Sequence, residues 1–402
     1  MIWLILWLLL AGPLWALIGS SVISRRYHAL GLNPRRTRSG GGLTGAAFGP
    51  LGIGYLYRNT PDLRGKWALA GPSMIVVLEL WLIFRAVFPQ NICNTNPAYV
   101  ADQLANGLAT GLLFSAMAVG LTLIYSVLGI ISFAHGQFFM LGGVVGFFLG
   151  TEVWELNAIA AIPVAGLVAL VVGMIFERLM LSPMHRGSIE RAGEYAILVT
   201  FGFGLFLQFA LVGFLGNPTG VRAPRYTDRP LFGIDTGAFD LGPFRVRTDV
   251  VIAGLIGVVL ILALAWFLQR TWTGKSFRAV SQQKDAASVV GINSGRTFNL
   301  AFGAGTMLAA MAGAALVPTL NFAIPQIAGQ AAIRAYIIIV LGGLGSVIGA
   351  GIGGVIVGVS ESIGAGCFPD PSRASSYQLA FPLIFFALVL LVRPQGLFGR
   401  AE

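Results

Sequence analysis

Hydrophobic residues in this chain come in long unbroken runs rather than in alternation. Residues 103–151 contain no Asp, Glu, Lys or Arg, a stretch more than twice the ~20 residues that cross a bilayer once. It therefore predicts two crossings, 104–126 and 130–150. Further runs at 2–23, 67–88, 156–177, 194–216, 249–269, 296–318, 346–363 and 378–392 predict one each, and a broken apolar region at 319–345 predicts one more. Membrane barrel strands would instead alternate over about 10 residues. The expected fold is an all-α polytopic membrane bundle of about eleven segments, broken or re-entrant helices among them.

Some of these runs are interrupted by polar groups. "ISFAHGQFFMLGG" at 131–143 places Ser132, His135, Gly136 and Gln137 inside a predicted crossing. A helix loosened there leaves backbone groups that only protein or water can satisfy. Transporters use such breaks near the bilayer midplane to face a solute. These four residues are candidates for a translocation path, with Ser132 and His135 three apart on one helical face. In the second half of the chain the corresponding candidates are Gly342, Gly343 and Ser346 of "LGGLGS", with Glu361 one helix later. "LGGVVG" at 141–146 is similar to "LGGLGS" and raises the idea of an internal repeat. The plainer reading of His135 is a hydrogen-bond donor that fixes two helices together. Gly345, Gly349 and Gly353, and Gly354 with Gly358, have the spacing that lets helix backbones approach closely.

Composition and charge sharpen this picture. The chain is 56% hydrophobic and 10% charged, against about 25% charged in soluble domains. The net charge of +10 raises nucleic acid as a partner, but its distribution excludes that reading. Most of the 26 Lys and Arg fall in 24–66, 178–193, 270–296 and 393–402, the pattern of cytoplasmic loops. No basic, aromatic-interleaved surface is present, so the chain's surroundings are membrane lipid and no nucleic acid. The parity of segments puts the N-terminus outside and the C-terminus in the cytoplasm. The stretch 217–248 is the sizeable outer loop, read as an irregular cap or short hairpin. Cys93 and Cys367 lie at predicted outer ends, either as two thiols or as a disulfide on the oxidising side.

Chemistry is sparse. The histidines at 28, 135 and 185 are scattered, and no zinc pair or nucleophile elbow occurs. "TWTGKS" at 271–276 ends like a phosphate-binding loop, but Gln269 stands where the first glycine is required. The chain is thus expected to be no enzyme, with no metal site. The inner loop 274–293 has apolar residues near helical spacing from Phe277 to Val290, an amphipathic cytoplasmic helix. Within it, "DAASVVG" at 285–291 offers small Ala286 and Ala287 for close contact, and Gly291 to end the helix at positive φ.

Residues 104–142, "LANGLATGLLFSAMAVGLTLIYSVLGIISFAHGQFFMLG", closely resemble the permease subunits of bacterial branched-chain amino acid ABC importers. So do 273–293, 340–362 and 393–399, and urea and short-amide permeases look similar. The resemblance implies an inner-membrane permease that binds no cofactor, with ATP and Mg²⁺ held by two cytoplasmic ATP-binding subunits. It implies pairing with a second homologous permease or with itself, and a periplasmic binding protein that carries most of the selectivity. It makes the inner loop a coupling helix, so that Asp285, Ala286, Ala287 and Gly291 meet the ATPase. The chain departs from the family in residues 1–100, an extension with two extra membrane helices and a basic cytoplasmic loop ahead of a permease domain at 101–402. It departs again at Pro325 and Gly329, one residue further apart than the family's turn. The rival readings are a channel or facilitator independent of ATP, and a scaffold acting through the basic loop.

Overall fold

The computed structural model describes residues 88–150, 157–185, 187–215, 225–226, 238–241, 244–320, 327–370 and 372–399. The two spans and the basic loop expected before residue 88, and Pro325, lie outside the described residues. The chain divides into two compact units, Met1–Pro97 and Ala98–Glu402. In the first, the described residues form one helical turn, Ile92–Thr95, started by the Asn91 side chain, which accepts from the Cys93 N–H at 2.9 Å.

The second unit is helical, as lipid requires of a chain that must pair every backbone group internally. It comprises α1 (Pro97–Leu128), α2 (His135–Phe148), α3 (Ala158–Phe176) and α4 (Ala192–Leu215). α3 runs on through a π-helical turn, Glu177–Leu181, to His185. A two-stranded hairpin, β1 (Ala238–Leu241) and β2 (Phe244–Arg247), follows, with Ala238 opposite Arg247 and Leu241 opposite Phe244. Then come α5 (Thr248–Arg270), α6 (Trp272–Gln282), α7 (Lys284–Val289) and α8 (Ser294–Leu320), and finally α9 (Ile327–Gly342), α10 (Val347–Gly366) and α11 (Ala380–Val392). Among the described residues six helices are long and apolar enough to cross a membrane, and α2, α9 and α11 are shorter apolar helices. These occupy the nine apolar stretches expected beyond residue 100.

Small residues decide how the helices meet. α8 packs along both α2 and α3. A methyl group on Gly142 of α2 would strike the Ala310 carbonyl of α8, and one on Gly313 would strike the Phe139 carbonyl in return. α1 meets α10 in the same way, through Gly111 against Gly358 and through Ser115 Oγ, which donates to the Gly351 carbonyl at 2.6 Å. Dispersion between closely approaching backbones holds such contacts where no hydrophobic drive exists.

One geometric detail governs the rest. α1 has 32 residues, about 48 Å of helix. His135, the first residue of α2, bonds the carbonyl of Met117, about 16 Å short of the end of α1 at Leu128. The non-helical stretch 129–134 climbs back along α1 over that distance, within its extended reach of about 20 Å. α2 therefore begins inside the bundle, and its 14 residues rise only about 21 Å.

The structure corrects two expectations and decides between the two readings of the cysteines. Ser132 precedes α2 and does not share a helical face with His135. The amphipathic inner helix is two helices, broken at Gln283 by an extended residue with φ −157°. Neither cysteine is a thiol: Cys93 and Cys367 are disulfide-bonded.

Candidate functional site: a candidate docking turn and a polar layer inside the bundle

The docking turn is assembled locally. Thr271 starts α6, its hydroxyl accepting from the Gly274 N–H at 3.0 Å. Phe277 and Val280 are buried, Phe277 edge-on to Phe267 of α5 at 5.9 Å. α7 carries Asp285 in its first turn, where a carboxylate suits the helix dipole. It ends at Gly291, φ +87°, with the Ile292 N–H donating to the Ala287 carbonyl and the Gly291 N–H to the Ser288 carbonyl, both at 3.1 Å. This pair of bonds is a Schellman motif, and it needs the glycine for its backbone angle, since the space around Gly291 is open.

Asp285, Ala286 and Gly291 are exposed, whereas Ala287 is buried beneath them. The turn leaves Val289 and Val290 outward, 86% and 76% exposed. Lys284 lies over the Phe298 ring of α8 at 5.3 Å, and His185 stacks on that ring at 4.1 Å. The turn is thus fastened to α8 and to the end of the α3 extension.

The polar layer is built by tertiary contact. His135 Nε2 donates to the Met117 carbonyl at 2.9 Å, leaving Nδ1 as the accepting nitrogen of the neutral ring. That Nδ1 and Ser132 Oγ are buried and make no hydrogen bond among the described residues. The stretch before α2 is held from two sides. Thr200 Oγ1 accepts from the Phe133 N–H at 3.1 Å, and the Tyr336 hydroxyl donates to the Ser132 carbonyl at 3.2 Å. Gln137, with its amide nitrogen turned inward, donates to the Phe133 carbonyl at 3.0 Å. Gly136 lets α9 approach, packing against Ala328 and Ala332.

Glu361 of α10 is also buried, and its partner is Arg334 of α9. Arg334 Nε donates to both carboxylate oxygens, at 3.1 and 2.8 Å, and Nη2 donates to Oε1. The guanidinium lies over the Phe114 ring of α1 at 5.2 Å. By contrast, Gly342, Gly343 and Ser346 stand apart from this layer. The Leu397 and Phe398 N–H groups of the C-terminal tail donate to the Leu341 and Gly342 carbonyls at 2.9 and 3.0 Å. Ser346 starts α10, accepting from the Gly349 N–H at 3.0 Å. Ser126 of α1 is the neighbour of Gly345, about 14 Å along α1 from Met117.

Arg334, Tyr336, Val289 and Val290 were not among the sequence candidates. Arg334 had a signal: no other charged residue occurs between Arg296 and Glu361.

In the segment before the hairpin, Tyr226 is buried, its N–H donating to Asp249 at 3.2 Å and its hydroxyl to the Ala315 carbonyl at 2.8 Å. Burial, and to a lesser degree the Asp249 charge, raises its phenol above the ordinary value, so the hydroxyl remains a donor.

Comparison with known proteins extends this picture. The family model described as branched-chain amino acid transport system / permease component matches residues 103–392. The high-affinity branched-chain amino acid transport system permease protein BraD of Pseudomonas aeruginosa is 30% identical over 313 residues, 75% of this chain and 96% of the relative. LivH of Escherichia coli K12, described in the same words, is 28% identical over 316 residues, 76% of this chain and 97% of the relative. The autoinducer 2 import system permease protein LsrC of an Enterobacter species is 27% identical over 284 residues, 69% and 75% of the two chains. No solved structure matches. A multi-pass helical membrane protein matched in this way over most of its length belongs to the family of branched-chain amino acid transport system permease components.

Proposed function

We propose that this chain is the permease subunit of an ATP-driven importer for branched-chain or other small amino acids. In this reading a periplasmic binding protein delivers the solute, and two cytoplasmic ATP-binding subunits hold ATP and Mg²⁺. A second homologous permease, or a second copy, completes the path. The observation that carries it is the docking turn: a glycine-terminated helix on a basic loop with two valines bare to solvent, fastened by Phe298 to a central helix. Two adjacent exposed valines suit burial against a partner, and a helix across a bundle end suits a groove. Asp285, Ala286 and Gly291 flank that surface, and Ala287 supports it from beneath.

Ser132, His135, Gly136, Gln137 and Glu361 belong to the path, around the start of α2. Gly342, Gly343 and Ser346 form its inner end beside the tail. The disulfide supports Cys93 and Cys367 on the oxidising side and the basic tail supports the C-terminus in the cytoplasm, which leaves the N-terminus outside. Residues 1–100 are an extension that packs peripherally or binds an accessory subunit. The related reading, a urea or short-amide permease, differs only in cargo and is separated by the ligand of the binding protein.

The test is purification of the full chain from its native membrane. Wild type is expected to retain ATP-binding subunits, and Ala286→Arg, an exposed site, to lose them while accumulating normally. A wild-type chain that retains none and still conducts solute would be an ATP-independent channel or facilitator.

A further inference from the structure

Arg334 and Glu361 are buried side chains on two apolar helices, α9 and α10. An ionised pair withdrawn from water carries a large desolvation penalty that mutual attraction only partly offsets. Ionisable residues within membrane helices are functional-site candidates by default. The bonding here is also incomplete. Nε and Nη2 of Arg334 are engaged by Glu361, but among the described residues Nη1 reaches only Gln330 Oε1 at 3.5 Å, at the far limit of a hydrogen bond. A guanidinium has five N–H donors, so part of its donor set is uncommitted. Gln330 is one helical turn from Arg334 and exposed, as are Gly329 and Ile333 beside it. A polar amide thus leads from the outside of an apolar helix to the pair, and the Phe114 ring flanks the cation.

We infer that the Arg334–Glu361 pair is an exchange site for a zwitterion, which deepens the importer reading and rests on it. An amino acid's α-carboxylate takes the free side of the Arg334 guanidinium, in the planar geometry arginine offers carboxylates. Its α-ammonium takes a Glu361 oxygen. Each buried charge keeps an opposite partner throughout, so the solute passes without leaving a naked charge in the bundle. When the solute departs, the two side chains close on each other again. The apolar side chain of the cargo needs no matching pocket, in keeping with selectivity residing elsewhere.

The experiment compares leucine uptake by the full importer carrying the double substitution R334M/E361M with wild type, in the native host lacking its own copy. Replacing both members of a buried pair by apolar residues of similar volume is commonly tolerated by the fold. The expected result is uptake reduced at least tenfold, with normal membrane levels and normal co-purification of ATP-binding subunits. The swapped pair R334E/E361R restores the ion pair with reversed polarity and is expected to show the same loss. A smaller loss in either accumulating variant overturns the proposal, and failure of both to accumulate overturns it in favour of a structural pin. Should wild type itself retain no ATP-binding subunit, the importer reading fails, and this inference falls with it.

Discussion

The docking turn and the polar layer differ in what holds them. The turn at 271–293 is made of neighbours in sequence: Thr271 with Gly274, Ala287 with Ile292, Ser288 with Gly291. The layer is made of residues far apart: His135 with Met117, Tyr336 with Ser132, Arg334 with Glu361, and Arg334 with Phe114. One is a local motif with exposed apolar tips, and the other a meeting of five helices around charges. Single substitutions that strand one member of a pair in the layer should therefore act on stability, and substitutions on the tips of the turn should act on assembly with partners.

The sharpest way to break the comparison is Glu361→Ala. It strands the Arg334 charge and is expected to destabilise the bundle by about 3–5 kcal/mol, read as a lowered midpoint for thermal unfolding in detergent. A midpoint equal to wild type would mean that water reaches the pair. Next in size is Gly291→Ala, which forces a side chain into the left-handed region at about 1–2 kcal/mol. Its effect should be confined to the turn, as faster amide exchange at Ile292 and at the substituted position, with the helices unchanged. The smallest effect on stability is expected of Val290→Asp, within about 0.5 kcal/mol for an exposed site, yet with ATP-binding subunits lost on purification. Retention of those subunits would remove the turn from the interface.

This contrast also explains what the sequence made legible. The apolar runs marked the crossings because each run must satisfy its own backbone in lipid. "DAASVVG" indicated a glycine-ended helix because the Schellman bonds lie within six residues. The break at Gln283 escaped the periodicity, since apolar spacing continues across it and only the backbone angle changes. Around His135 the residue types were legible but their arrangement was not. Ser132 lies outside α2 because the chain climbs back beside α1 before turning helical, and that path is set by Thr200 and Tyr336 from other helices. Arg334 lay inside a stretch read for its proline and glycine, and its bond to Glu361 spans 27 positions. "LGGLGS" was paired with the layer by similarity, whereas its backbone is paired with the tail.

The unequal heights of the helices carry a consequence for the surrounding lipid. α11 has 13 residues, about 20 Å of helix, against a hydrocarbon thickness of about 30 Å. Ile384, Leu388 and Leu391 are exposed along it. Acyl chains beside that flank must compress toward it unless another protein surface covers it, while the 32-residue α1 demands tilt or protrusion. Uptake should accordingly vary with acyl-chain length in reconstituted vesicles, the membrane's own thickness acting as a setting on the transporter.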